Sequence, residues 1–199
     1  MQEIKKRKKN FSSFNEAEAM KLLGIKHLQK WKLELEHFTI SDFFYERLRR
    51  LERFGTKMSE GGKELLIEAF CEEALEQHKK IKLWKQVHLE SENLTGTPDY
   101  LATESIDYFE KPFLCAVEAK KDDFEKGLAQ CLAEMKACQE NNEKEIDIFG
   151  IVSNGTSWVF YKLTTDNQVY QSATYSTANM QDVLSALAYI FGECEKNLD

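Results

Sequence analysis

Residues 112–140 read PFLCAVEAKKDDFEKGLAQCLAEMKACQE. Pro112 opens a run that stays apolar on both faces until Glu118, as a central strand covered on both sides would. The next twenty residues predict a helix. Phe124, Leu128, Leu132 and Met135 form one stripe, and Gly127, Ala129, Ala133 and Ala137 are small enough for close packing. Asp122 and Asp123 stand in its first turn, where the helix dipole favours acids. A second apolar strand follows, IDIFGIVSNG at 146–155. Strand, helix, strand in that order is the unit of an α/β sheet.

Working outward, SWVFYKL (157–163) and QVYQS (168–172) predict further strands, the first after an Asn154-Gly155 turn. A last helix is expected from Ser176 to about Cys194. Upstream, TPDYLATES (97–105) reads as a strand. Ile81, Leu83, Val87 and Leu89 alternate with polar residues and predict one half-exposed strand, ended by the turn-like SENLTG (91–96). Before it, Ser59 is the expected cap of a helix over 60–78 whose apolar face is Leu66, Ile67, Phe70, Ala74 and Leu75. Ser41 caps DFFYERLRRLERF (42–54), with Gly55 as its stop, and Asn15–Leu23 is helical up to Gly24. IKHLQKWKLELEHF (25–38) fits no single period. The fold class expected is α/β, a mixed central sheet flanked by helices. The expected units are a basic flexible tail (1–10), a helical N-terminal appendage (11–55) and a main domain (56–199).

The chain has 199 residues, enough to bury one core without disulfides or metals. Apolar residues make up 42% and aromatics 12%, which excludes disorder as the main state. No apolar run reaches the roughly 18 residues of a membrane span. The basic start is followed by no apolar segment, so it is not read as a secretory signal. The odd set of five cysteines (Cys71, Cys115, Cys131, Cys138, Cys194) has no CxxC pair and suggests buried reduced thiols and a cytoplasmic protein. With 27 basic and 34 acidic residues the net charge is −7, so a global basic footprint for nucleic acid is missing. His27, His37, His78 and His88 lack zinc-site spacing. No GxSxG, GxGxxG or GxxxxGK[ST] occurs. Trp158, Phe160 and Tyr161 read first as core packing and second as a base-stacking surface.

The chemistry concentrates at Pro98-Asp99 and at Glu118-Ala119-Lys120. Residues i and i+2 of a strand share a face, so Glu118 and Lys120 lie together at the end of the most apolar strand. A charge there is costly unless it is paired or bound to an ion. If the two strands form a hairpin, Asp99 approaches Glu118, and two carboxylates held together repel. A divalent cation removes that penalty, with the Ala119 carbonyl as a further ligand. Mg²⁺ takes one or two carboxylates, water and phosphate oxygens. Lys120 would then help deprotonate a metal-activated water or neutralise charge at phosphorus. The residues alone leave a second reading open, a surface Glu118–Lys120 salt bridge beside a plain Pro98-Asp99 turn.

This combination resembles the PD-(D/E)xK nuclease superfamily, whose restriction-endonuclease-like core runs helix, three strands, helix, strand. VEAKKDDFEKGLAQCLAEMKACQENN (117–142) followed by IDIFGIVSNGTSWVFYKL (146–163) is similar to uncharacterised bacterial, often cyanobacterial, relatives of type I restriction enzyme R-subunit N-terminal domains. MSEGGKELLIEAFCEEAL (58–75), GTPDYLA (96–102) and FNEAEAMKLLGIKHLQKWKLELE (14–36) fit the same pattern, so the likeness covers nearly the whole chain. The resemblance implies a hydrolase, an endonuclease rather than an exonuclease, using magnesium (Mn²⁺ as alternative) on DNA, with RNA as the alternative substrate. It implies Asp99 and Glu118 as metal ligands, Lys120 as the catalytic lysine and Gln130 as a site glutamine. Glu60 would add a helix acid as a third ligand, with Glu68 the alternative. A homodimer or larger complex is a further expectation, and a membrane partner is not. The acidic net charge keeps an alternative: a catalytically silent binding module, for nucleic acid or protein, on a nuclease-like scaffold.

Overall fold

The computed structural model describes residues 7–56, 60–120 and 123–199. Residues 1–6 of the basic tail, the expected cap Ser59, Lys121 and Asp122 lie outside them. The elements run β1 (Lys9–Asn10), a 3-10 turn at Phe11–Ser13, α1 (Glu16–Leu23), β2 (Gln29–Trp31), α2 (Asp42–Leu51), α3 (Glu60–Leu75) and β3 (Ile81–Lys85). Then come β4 (Leu89–Glu90), β5 (Leu94–Gly96), β6 (Tyr100–Glu104), β7 (Phe113–Ala119), α4 (Phe124–Asn141), β8 (Ile148–Ser153), β9 (Ser157–Leu163) and β10 (Val169–Ser172). β11 (Tyr175–Ser176), a 3-10 turn at Thr177–Asn179 and α5 (Met180–Lys196) complete the chain.

The main sheet has the order β2-β10-β9-β8-β7-β6-β3, with β11 also paired to β9. β7 and β8 are parallel, joined by α4, as a parallel pair requires of its crossover. β3, β6 and β7 are antiparallel neighbours. All seven residues of β7 are buried, because helices cover both faces of the sheet. α2, α3 and α5 pack on one face around Phe70, Val117, Trp158 and Leu187. α1 and α4 pack on the other around Leu101, Ala116, Leu132 and Val152. This is an α/β fold with a mixed sheet between helical layers. Among the described residues, no helix is long and apolar enough to cross a membrane.

Local signals set the helix ends. Asn15 and Glu18 form a reciprocal capping box on α1, and Gly24 ends it in the left-handed region at φ 71°. Ser41 caps α2, and its N–H and hydroxyl both donate to the buried Glu73 of α3, at 2.7 and 2.8 Å. Residues 11–55 carry α1 and α2 but also β2, which pairs with β10, while α1 packs on α4. Phe38 is pinned to α5: its N–H donates to Ser185 and its carbonyl accepts from Gln181. Lys9 and Asn10, assigned by sequence to the tail, pair with β5.

The single strand expected over 81–89 is two strands. Gln86 turns left-handed at φ 51°, and its N–H donates to the Asp99 carbonyl at 2.9 Å. The chain then leaves the main sheet, and Leu89 enters the α4-side core beside Leu94. β4 pairs with β5 in a small second sheet, so SENLTG holds a strand as well as a turn. All five cysteines are buried and unpaired, and Trp158, Phe160 and Tyr161 are core residues.

α4 sits tightly on β8. A Cβ on Gly150 would stand 2.5 Å from Met135 Sδ and 2.6 Å from Cys131 Sγ. Gly150→Ala is expected to cost about 1–3 kcal/mol in urea denaturation. Gly55→Ala, where a Cβ meets nothing within 4 Å, should stay within about 0.5 kcal/mol.

Candidate active site at the end of the central strand

Glu118 is 0% exposed, so its carboxylate has no water to stabilise it. The neighbouring chain supplies partners instead. Gln130 Nε2, from α4, donates to Glu118 Oε1 at 2.8 Å. Lys120 Nζ lies 2.8 Å from Glu118 Oε2, an ion pair without good hydrogen-bond alignment. The strand alternation puts Glu118 on the α4 side, the side of Ala116.

Asp99 precedes β6 and is locked to β7 by one bond: its Oδ2 accepts the Ala119 N–H at 2.7 Å. The register Tyr100↔Val117 of the β6–β7 pair brings it to the level of Glu118. Burial, and then the Glu118 charge, push the Asp99 pKa up to about 7; the Ala119 N–H and Lys120 pull it back, and Glu64 adds to the rise. Burial pulls the Lys120 ammonium down, but Glu118, Asp99 and Glu134 outweigh it, and its pKa stands above the ordinary lysine value. Lys120 is therefore charged at neutral pH.

Two features fix the Lys120 stem. Its N–H donates to the Ser153 carbonyl at 2.8 Å. Gly127, in the first turn of α4, lets the helix press on it: a Cβ there would stand 2.9 Å from Lys120 Cγ and 2.7 Å from Val152 Cγ1. The turn itself is capped by Asp123, whose side chain accepts the Lys126 N–H at 2.9 Å.

Asp99, Glu118, Lys120 and Gln130 thus meet at one place. Glu60 stands in the first turn of α3, and its side chain lies outside the described residues. Glu68 is bonded beside Asp99: its Oε1 accepts from the OH of the adjoining Tyr100 at 2.9 Å and pairs with Lys85 Nζ at 2.8 Å. Lys85 also holds Glu64 at 2.9 Å, and Glu64 is the α3 acid whose charge acts on Asp99. Glu134 is a further member that the sequence reading did not single out. It is 0% exposed, and its Oε1 accepts from Gln130 Nε2 at 3.0 Å. Burial and the Glu118 charge hold its pKa well above the usual carboxyl range. Its spacing of four from Gln130 was the available signal, since such residues share a helix face.

Asp99 and Glu118 offer hard oxygen donors, the chemistry that suits a small divalent cation keeping part of its water. Among the described residues, no group of three or more His, Cys, Asp and Glu side chains is arranged to hold a metal ion. The chain matches no protein-family model, and no curated protein is significantly similar to it.

Asp99→Asn is expected to stabilise the cation-free protein at about pH 8 by about 1–3 kcal/mol, after discounting for its partial exposure. The folded-state pKa of about 7 stands above the ordinary 3.8, so ionised Asp99 penalises the folded state at high pH. That penalty fades as pH falls through 7 and is gone below about 4, where both states are protonated. Urea denaturation in EDTA across this range measures it. Equal stability of the two proteins at about pH 8 would contradict the crowding of Asp99 and Glu118.

Proposed function

We propose that this chain is a divalent-cation-dependent nuclease that hydrolyses DNA phosphodiester bonds at Asp99, Glu118 and Lys120. The observation that carries the reading is the meeting of Asp99 and Glu118 at the end of β7, near enough that one charge raises the other's pKa. Such a pair is unfavourable at neutral pH without a cation. Asp99 and Glu118 would hold Mg²⁺ or Mn²⁺, which when bound supplies Lewis acidity at a phosphate and lowers the pKa of water.

The chain's own groups divide the remaining work. Lys120, charged in the cation-free protein, would bring positive charge toward a phosphoryl oxygen or help deprotonate the attacking water. Gln130 holds Glu118 in place through its 2.8 Å bond. The α3 acid of the site would be Glu60 or Glu68, and Glu64 adds negative charge from the same helix. With β4 and β5 set aside as a separate small sheet, the order α3, then β3, β6 and β7, then α4 and β8 supports the reading, since a restriction-endonuclease-like core runs helix, three strands, helix, strand. DNA is the substrate this reading takes first, and RNA is an outcome of the test.

A binding module is the second reading. It is favoured by the Lys120–Glu118 pair, which already compensates one carboxylate, and by the net charge of −7. Plasmid and single-stranded DNA incubated with Mg²⁺ or Mn²⁺ separate the two. The nuclease reading expects cleavage that EDTA abolishes and that Asp99→Ala or Lys120→Ala lowers about 10²–10³-fold. Unchanged cleavage by both variants would mean that other residues do the chemistry. An intact substrate together with no Mn²⁺ uptake in calorimetry leaves the binding module.

A further inference from the structure

Gln130 commits both of its amide hydrogens to carboxyl groups. Nε2 donates to Glu118 Oε1 at 2.8 Å and to Glu134 Oε1 at 3.0 Å. A carboxamide has two donor hydrogens on nitrogen and an acceptor oxygen. With both hydrogens taken, the group that Gln130 has left to offer is its carbonyl oxygen. A phosphate oxygen needs a donor, whereas a water needs an acceptor to direct its proton.

The geometry points to Glu134 as a positioning residue of the proposed hydrolytic site: it fixes the Gln130 amide so that Gln130 presents an acceptor to the attacking water and no donor to the phosphate. The inference rests on the hydrolytic reading and specifies which reactant Gln130 meets. Glu118 by itself fixes one amide hydrogen and leaves the amide free to rotate about that bond. Glu134 fixes the second hydrogen and with it the plane of the amide.

Packing alone gives no reason for an acid at this position. Glu134 is 0% exposed and is flanked by the buried Ala133 and Met135. Its Oε2 is buried, and the neighbour in reach of its carboxyl proton is the Glu118 carboxylate. Burying a carboxyl beside a second carboxylate is costly, and an apolar side chain of similar size would avoid that cost. Glu134 lies one turn beyond Gln130 on α4, and Gly127, three residues before Gln130, is the residue that packs on the Lys120 stem. One helix therefore orders both the lysine and the glutamine.

The test uses the full chain labelled with ¹⁵N, with the Gln130 side-chain amide assigned by comparison with Gln130→Met. Both amide protons should exchange slowly with solvent in the wild type and in Glu134→Gln, which keeps an acceptor oxygen at the same reach. In Glu134→Leu one proton should lose its protection. Fast exchange of both protons in the wild type overturns the inference, even if the leucine variant fails to fold. In cleavage assays, Glu134→Leu should lower kcat about 10–100-fold at unchanged KM, and Glu134→Gln should restore most of it. The double variant Glu134→Leu/Gln130→Met should be no slower than Gln130→Met alone. A Glu134→Leu protein with wild-type kcat overturns the inference. If the wild type cleaves nothing, the hydrolytic reading fails and takes the catalytic role of Glu134 with it. The exchange measurement then reports separately whether Glu134 orders Gln130.

Discussion

Glu118 ends a strand that is buried along its whole length, and no water reaches its carboxylate. Removing such a charge from water costs several kcal/mol unless partners replace the water. Much of the nearby architecture follows from that need. α4 must bring Gln130 against the strand end, and Gly127 must be bare so that the helix can approach Lys120. Asp99 is drawn to the same strand end by the Ala119 N–H, which it shares with no other side chain in the cluster. A sheet with water on its α4 face would need none of these devices, and it would not crowd two carboxylates.

The parts of the fold that were legible in the sequence are those whose pattern is set locally. The unbroken apolar run Phe113–Ala119 and the stripe of α4 could be read because burial on two faces or on one leaves a distinct period. β1 and β2 are two or three residues long, too short for any period, and their pairing is decided by distant partners. The break at Gln86 was hidden because its left-handed backbone is imposed by the turn between two sheets and not by its side chain. At the site, the approach of Asp99 to Glu118 could be anticipated from a hairpin. Glu134 carried only its spacing of four from Gln130 as a signal, because one acid among apolar helix residues has the same letters whether it faces solvent or the core.

The charge balance of the cluster constrains any function assigned to it. Asp99, Glu118, Glu134 and Glu64 stand against Lys120 and Lys85. Glu134 is spared ionisation by burial, and the remaining acids still outnumber the cations. In a medium of low dielectric constant that excess is felt strongly, and it opposes the approach of a polyanion. The hydrolytic reading therefore requires a mobile cation to join before the nucleic acid does. It also explains why a chain with an acidic surface charge is not by that fact unsuited to such a substrate.

The pairing of Gln29–Trp31 with Tyr170–Ser172 joins an early part of the chain to one of the last. Contacts between such distant positions are slow to form, because the intervening chain must first be ordered. On a ribosome, β2 emerges long before its partner strand exists. Trp31 and Leu33 must therefore wait without their native shelter while most of the protein is still being made. The edge of the sheet farthest from the cluster is thus the last to close, and the interval before it does is when the nascent chain is most exposed to wrong associations.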